Sequence, residues 1–358
     1  MIYQMHLHNE DASKHINNQP YTASFLHNGL PSIDRWSVKD TVGKKEASKK
    51  MKLTMRKYQQ DEDQQKIRKF LQEVFLKNRR RETCWQVYRW DYWCWHVNKN
   101  IFKFNLEAAI FLWETENHQL AAILHPDAAG EAFLQVHPDF RSPEIEIEMM
   151  KVAETQFATT QPNGEQRLVL WAHETDEMRQ DILFRRGYTR QGNPEYQRRR
   201  PKDQSIPAFS LPEGYTLREL GGEDEHPARS WVSWKAFHPS EPDQNYQGFD
   251  WYKNVQKAPM YRQDLDLVAV APNGEFAAFC TVWMDFDTAT ASFEPVGTHP
   301  EHQRKGLGKA LMAEGLRRVS QLGATLCTVG SYSEPADTLY ASLGFTAYDL
   351  NEPWVKEW

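Results

Sequence analysis

The chain has 358 residues, of which 40% are hydrophobic and 26% are charged, so most of it is expected to fold into globular domains with cores. A formal net charge of −6 at pH 7 excludes a general attraction to nucleic acid or to an anionic membrane. No apolar run is long enough to cross a bilayer. We therefore expect a cytoplasmic protein without nucleic-acid or membrane partners.

Residues 1–48 are polar and rich in Asn, His, Ser and Lys, and their apolar residues follow neither helical nor strand spacing. They also lack the apolar segment of a signal peptide. This composition predicts either a disordered tail or non-conserved upstream sequence that lies outside the fold.

The four cysteines contain no Cys-x-x-Cys pair, which is typical of core thiols in a reducing compartment. Cys84, Cys94 and His96 have a spacing that matches no standard zinc site, so no metal centre is predicted.

The first predicted domain covers residues 50–197. A strand at 52–56 leads through acidic residues into a helix whose apolar residues share one face. A hairpin, the segment Val136-His137-Pro138 and a helix that ends at Gly187-Tyr188 follow. Residues 198–211 are rich in Arg, Pro, Gln and Ser and predict an exposed linker.

The second predicted domain covers residues 212–358 and repeats this order. Its central hairpin carries the turn signal Asn273-Gly274, and Thr298-His299-Pro300 corresponds to Val136-His137-Pro138. Gly344-Phe345 likewise corresponds to Gly187-Tyr188, and the matching motifs lie about 160 residues apart. The sequence thus predicts a tandem duplication. Two basic runs, Arg79–Arg81 and Arg198–Arg200, are interpreted as solvated surface or linker.

One turn of the second domain predicts an anion-binding site. Gln303, Arg304, Lys305, Gly306, Leu307, Gly308 and Lys309 lie between a strand that ends near Thr298 and an amphipathic helix. Backbone N–H groups at a helix start have no partner within the helix, and glycines let a diphosphate approach them closely. The basic residues of the turn add positive charge.

A short strand and a helix with Tyr340 four residues before Gly344 follow this turn. That order resembles the GCN5-related N-acetyltransferase (GNAT) family, whose signature is Gln/Arg-x-x-Gly-x-Gly/Ala followed by such a tyrosine. The match covers about residues 214–358. The resemblance implies an α/β (α+β) fold of two tandem domains, each with a mixed, mostly antiparallel sheet flanked by helices.

The resemblance also implies acetyl-CoA as co-substrate, with its diphosphate on Arg304–Lys309 and its acetyl and pantetheine groups along Val296, Gly297 and Thr298. Ser333 stands where the family commonly has an asparagine that contacts the pantetheine arm. Tyr340 takes the position of the general acid, because a phenol with a pKa near ~10 stays protonated at neutral pH.

Glu294, on the strand before the acetyl site, is the candidate general base, although a surface glutamate is an open alternative there. Asp285 and Asp287 are alternatives for holding a cationic substrate. The aromatic residues between Trp85 and Trp95 either line a cleft between the domains or form core.

The first domain departs from the pattern. Pro143 has no amide hydrogen, Glu144 and Glu146 would repel a diphosphate, and Leu183 takes the place of Tyr340. The first domain is therefore predicted to bind no acyl-CoA.

The predicted function is an acetyl-CoA-dependent N-acetyltransferase that acts on a small amine as a monomer or homodimer. Acetylation of a peptide or protein and non-catalytic sensing of acetyl-CoA remain alternatives.

Overall fold

The computed structural model describes residues 52–358, and the predicted tail 1–48 lies outside this range. No helix within 52–358 is both long and apolar enough to span a membrane. The four cysteines are buried and free, and Cys280 and Cys327 lie in strands as predicted.

In the first half, residues 52–201, a strand leads into an 18-residue helix that buries its apolar face, as the sequence predicted. Its strands are β1 (Leu53–Lys57), β2 (Phe111–Thr115), β3 (Leu120–Pro126), β4 (Glu131–Val136), β5 (Thr159–Thr160), β6 (Gln166–His173), β7 (Thr189–Arg190) and β8 (Glu195–Pro201). Its helices are α1 (Gln60–Lys77), α2 (Val87–Tyr92), which continues as a π-helix (Trp93–Phe102), α3 (Leu106–Ala109), α4 (Pro143–Gln156) and α5 (Glu177–Arg185).

The second half, residues 202–358, repeats this order. Its strands are β9 (Thr216–Glu219), β10 (Asp266–Val270), β11 (Phe276–Asp285), β12 (Thr290–Thr298), β13 (Leu326–Ser331) and β14 (Ala347–Glu357). Its helices are α6 (His226–Phe237), α7 (Tyr252–Gln256), α8 (Leu307–Gln321) and α9 (Glu334–Ser342). The predicted Asn273-Gly274 turn joins β10 to β11, with Gly274 at φ 87°.

One continuous sheet runs through both halves in the order β1-β2-β3-β4-β6-β14-β8-β13-β12-β11-β10-β9, with β5 and β7 beside this path. The last strands of the halves are exchanged at its centre. β8 of the first half pairs with β13 of the second, and β14 of the second half pairs with β6 of the first. β8 and β14 also pair with each other, so the two halves share a sheet interior.

This exchange corrects the predicted linker. Arg198–Pro201 belong to β8 and pair with Leu326–Val329 of β13, whereas an exposed linker from 198 to 211 was expected. The arginine run is polar enough to resemble a loop, but a strand can carry long charged side chains when their heads find partners. The connection between the halves therefore begins after Pro201.

Three hydrophobic clusters hold the sheet and helices together. One lies under α8, one lies under α4, and the third joins residues of both halves on the opposite side of the sheet. The third contains Trp85, Trp90 and Trp93 from the first half and Phe279 and Trp283 from the second. Most of the predicted aromatic cluster is therefore core between the halves.

A buried carboxylate fastens the exchanged strands. Asp349 of β14 accepts hydrogen bonds from Arg81, from Arg199 of β8 and from the backbone N–H of Glu82, and His173 Nε2 lies 3.5 Å away. Burial alone would raise the pKa of Asp349, but the hydrogen bonds from His173 and the two arginines outweigh it and lower the pKa from 3.8 to about 2.

Because this pKa is lower in the folded state, ionised Asp349 stabilises the fold above pH 4, and that contribution disappears as the pH falls towards 2. We expect Asp349→Asn to lower the free energy of unfolding at pH 7 by about 3 kcal/mol, since the half-buried guanidinium of Arg199 and the more exposed one of Arg81 lose a buried anionic partner. Denaturant unfolding at pH 7 and between pH 4 and 2 measures both effects. Asp181→Asn, which breaks an exposed pair with Arg185, is the control. Equal losses of stability on acidification in Asp349→Asn and wild type would contradict the role of Asp349.

Candidate active site

An opening in the sheet separates the ends of two parallel strands. β12 and β13 pair only from Thr290–Phe293 to Leu326–Val329. At Glu294-Pro295 the register between β12 and β11 shifts, which is the mark of a bulge. Beyond this bulge, residues 294–298 of β12 follow β11, whereas β13 continues alongside β8. The edge of β12 facing β13 is therefore open from Glu294 onwards.

Backbone geometry decides which amides face this opening. His299 donates its N–H to the carbonyl of Ala277, next to β11. Because successive N–H groups of a strand point to opposite edges, Thr298 and Val296 direct theirs into the opening, and Gly297 directs its own towards β11. Gly297 serves packing instead, since a Cβ there would lie 2.4 Å from the ring of Phe279.

The predicted anion-binding turn lies at the end of β12. Arg304 and Gly306 both adopt positive φ, 60° and 80°, and Gly306 begins α8 without a side-chain cap. The first intrahelical hydrogen bond runs from Ala310 N–H to the carbonyl of Gly306, so the amides of Leu307, Gly308 and Lys309 have no partner within the helix. Three N–H groups and the helix dipole thus converge on one point.

Strand end and helix start meet closely. A Cβ built on Gly308 would lie 3.6 Å from the hydroxyl oxygen of Thr298 and 3.4 Å from a methyl group of Leu339. Gln303 points its amide nitrogen at the Thr298 carbonyl, 3.5 Å away. The open strand edge and the uncapped helix start therefore form one continuous surface.

The basic side chains of the turn differ in their contacts. Arg304 is exposed and Lys309 is half-buried. Lys305 donates to the hydroxyl of Tyr215 at 3.0 Å and lies over that ring, and Tyr215 in turn contacts His302. The structure thus orders Lys305 against β9, a contact that the sequence did not indicate.

Tyr340 lies on α9, is only 3% exposed and packs edge-on against Phe345. Burial raises the pKa of Tyr340, and the neighbouring Cys280 and Glu294 raise it further. The phenol therefore stays protonated at neutral pH. Ser333 is exposed at the residue before α9, and its side chain makes no capping hydrogen bond.

Glu294 is half-buried at the bulge, and its backbone carbonyl accepts from the indole of Trp283. Its carboxylate lies 3.5 Å from the hydroxyl of Tyr88, which comes from α2 of the first half. Tyr88 accepts in turn from the amide of Gln197 at 3.0 Å. Sequence reasoning missed Gln197 and named Tyr88 only as one of a cluster, because both contacts join residues far apart in the chain.

The two alternative acidic residues lie elsewhere. Asp285 pairs with Thr290 at the far end of the β11–β12 hairpin, and it accepts from Gln72 and Thr288. Val296, in contrast, pairs with Cys280, five strand residues away and thus roughly 17 Å along the sheet. Asp285 and its neighbour Asp287 are therefore unsuited to hold a substrate at the opening.

Part of the second half matches a known protein family. Residues 228–345 match the model of the acetyltransferase (GNAT) family. This segment of the second half is therefore similar to the GNAT family.

Similar proteins agree with this assignment. The mycothiol acetyltransferase of Pseudarthrobacter chlorophenolicus is 26% identical over 253 residues, which cover 65% of this chain and 72% of that protein. The mycothiol acetyltransferase of Arthrobacter sp. strain FB24 is 27% identical over 245 residues, covering 63% and 69% of the two chains. These relatives are acetyltransferases, and GNAT acetyltransferases use acetyl-CoA as acetyl donor.

Solved structures agree on the fold. A GNAT protein from Sphaerobacter thermophilus superposes with a TM-score of 0.60 at 16% identity, over 85% of this chain and 95% of that one. A tandem GNAT protein from the clavulanic acid biosynthesis pathway gives 0.58 at 16% identity, over 86% and 98%. The predicted tandem GNAT fold is thereby confirmed.

In the first half, side chains occupy the corresponding GNAT positions. Ser142 caps the N–H of Ile145 at the start of α4, and Pro143 is the first helical residue. Arg141 bonds to Glu146 and Asp176 beside this helix start. In contrast to α8, the polar groups here already have partners within the protein.

The strand opening of the first half is also filled. β4 and β6 pair in parallel only at Glu131 and Ala132, as β12 and β13 do at their start. Trp85 packs against Phe133, and its backbone N–H donates to Gln135 of β4. Leu183, in the place of Tyr340, is fully buried. These contacts support the prediction that the first half binds no acyl-CoA.

We expect Gly306→Ala to weaken acetyl-CoA binding about tenfold, because φ of 80° is strained for alanine by roughly 1–2 kcal/mol and the turn would relax away from its anion-binding shape. Gly274→Ala is a matched control, since Gly274 has φ of 87° in a distant hairpin turn and, like Gly306, has open space where a Cβ would go. Calorimetric titration with acetyl-CoA gives the dissociation constants. Equal affinity in both variants would contradict binding at this turn.

Proposed function

We propose that the second half transfers the acetyl group of acetyl-CoA to a primary amine of a small molecule. The observation that carries this proposal is the junction of an uncapped helix start with an open strand edge. The helix start suits a diphosphate and the strand edge suits a thioester carbonyl, and acetyl-CoA contains both groups. The mycothiol acetyltransferase relatives support an amine acceptor.

The residues of this junction suit the donor. Gly306 and Gly308 leave room for phosphate oxygens at the amides of residues 307–309, and Arg304 supplies positive charge. The amides of Val296 and Thr298 are proposed to donate to pantetheine and to the acetyl carbonyl. A preorganised backbone donor at a developing oxyanion contributes about 3 kcal/mol.

Glu294 is proposed to take a proton from the acceptor ammonium, because an amine attacks a carbonyl only when it is neutral. The surroundings suit a cation. Glu195 and Asp127 lie nearby around Arg89, and Asp127 has a raised pKa through burial and through the charges of Glu131, Glu195 and Glu294. Because the raised pKa keeps Asp127 neutral and Glu195 is paired with Arg89, the negative charge that favours a positively charged substrate comes from Glu294.

Tyr340 is proposed to protonate the leaving thiolate as the tetrahedral species collapses. A donor of this kind must hold its proton at working pH, and burial ensures this for Tyr340. The neutral amine nitrogen bonds to the acetyl carbon and the carbon–sulfur bond breaks, so that coenzyme A leaves as the thiol. The second proton that the nitrogen loses restores the phenol of Tyr340, and the first, held by Glu294, passes to solvent.

Contact between the halves favours a small acceptor over a peptide. Tyr88 reaches Glu294 from the first half, and Tyr332 lies close enough that burial together with the charges of Glu195 and Glu294 raises its pKa. These aromatic side chains enclose the candidate base between two parts of the fold. An extended peptide would need an open groove there instead.

Tyr340→Phe is expected to lower kcat about 100-fold, the range of a general acid, while the dissociation constant for acetyl-CoA stays within twofold. Tyr188→Phe is the matched control, because Tyr188 is also a buried tyrosine but lies in the first half, bonded to Glu154. Steady-state kinetics and calorimetry separate the two constants. Unchanged kcat in Tyr340→Phe would remove the acid role.

The acceptor class is tested by following free thiol release from acetyl-CoA with a panel of small primary amines and with peptides that carry free N-termini. Release with small amines is the expected result. Release only with peptides would identify a peptide acetyltransferase. Binding of acetyl-CoA without release for any acceptor would indicate a sensing role.

A further inference from the structure

The arginine run of β8 divides between two faces of the sheet. Side chains alternate along a strand, so Arg198 and Arg200 share one face and Arg199 lies on the other. Arg199 contacts Asp349 and the carbonyl of Arg80. The other two arginines both reach α9, the helix that carries Tyr340.

Arg198 holds the beginning of α9. Its Nε donates to a carboxylate oxygen of Asp337 at 2.7 Å, and Ser331 at the end of β13 donates to the same oxygen. Burial opposes ionisation of Asp337, but these two hydrogen bonds lower its pKa below the ordinary value. Asp337 lies three residues before Tyr340, one helical turn away.

Arg200 holds the end of α9. It is 4% exposed, and its Nε donates at 2.8 Å to the carbonyl of Leu343, directly after the helix. The Nη2 of Arg200 donates to the carbonyls of Gln204 and Ser205. The last carbonyls of a helix lack donors within the helix, and that end of the helix is partly negative. A guanidinium there can donate hydrogen bonds to these carbonyls and also has a favourable charge.

We propose that Arg198 and Arg200 are positioning residues for acetyl transfer. Two contacts from one strand fix α9 at both ends and thereby fix Tyr340 against the open edge of β12. Because β8 belongs to the first half, the half without a site sets the geometry of the acid in the other half. This inference depends on the proposed role of Tyr340.

A positioning role follows from where the two contacts lie. Neither arginine contacts the turn 303–309 or the residues of β12 among the hydrogen bonds described for residues 52–358. Their loss should therefore leave donor binding intact. A displacement of about 1 Å at a catalytic group can still reduce turnover strongly.

The test uses the full chain with Arg198→Gln, alone and combined with Tyr340→Phe. Thiol release from acetyl-CoA is followed with saturating 2-phenylethylamine, an aromatic primary amine, and with water alone as acceptor. Arg198→Gln alone should lower kcat about tenfold and leave the KM for acetyl-CoA within twofold. In the Tyr340→Phe background, Arg198→Gln should cause no further loss, because the two residues act through one group.

Two further variants separate positioning from general damage. Arg198→Lys keeps the charge and should recover part of kcat. Arg190→Gln removes an arginine that pairs with Glu352 on β14, and it should leave kcat unchanged. Hydrogen exchange of the amides between residues 334 and 343 should be faster in Arg198→Gln than in Arg190→Gln. This measurement reports how firmly α9 is held and needs no amine substrate.

The outcomes are distinguishable. If Arg198→Gln lowers kcat equally in the presence and absence of the Tyr340 hydroxyl, the residue acts on stability alone and the inference is wrong. Unchanged kcat and exchange in Arg198→Gln would overturn it while leaving the acetyltransferase proposal intact. Full turnover in Tyr340→Phe would overturn the acid role and this inference together.

Discussion

The main-chain hydrogen-bonding requirement organises this protein, because each strand edge and helix start must find partners or a ligand. The exchanged strands β8 and β14 satisfy the edges at the centre of the sheet. Two places in the second half stay open to a ligand, the edge of β12 beyond Glu294 and the start of α8 at Leu307. They adjoin, and the proposed donor has a diphosphate for the helix start and a carbonyl for the strand edge.

Local signals predicted much of the second half. Spacing of apolar residues gave α8, Asn273-Gly274 gave the hairpin, and the glycines of 306–308 gave the anion-binding turn, since each depends on neighbours in the chain. Contacts between distant residues were beyond such reasoning. Tyr88 and Glu294 are 206 positions apart. The pairing of Arg198 with Asp337 depends on strand β8, whose residues 198–201 were predicted to form part of a linker.

Comparison of the two halves shows how equivalent positions of a duplicated fold can be occupied by the protein's own groups. Where α8 leaves its first amides open, α4 has Ser142 as a cap and Pro143 in place of a donor. Where β12 and β13 leave an opening, Trp85 fills the one between β4 and β6. Each of these contacts satisfies groups that a ligand would otherwise have to satisfy, which agrees with the prediction of a first half without acyl-CoA.

The first half also supplies contacts to the second half. Without β8, the outer edge of β13 would be unpaired along Leu326–Ser331, and α9 would lose its contacts with Arg198 and Arg200. Without α2, the carboxylate of Glu294 would lose its contact with Tyr88. Glu294 and the helix that carries Tyr340 therefore both have neighbours from the other half. This dependence follows from the strand exchange, because the sheet of each half is completed by a strand of the other half.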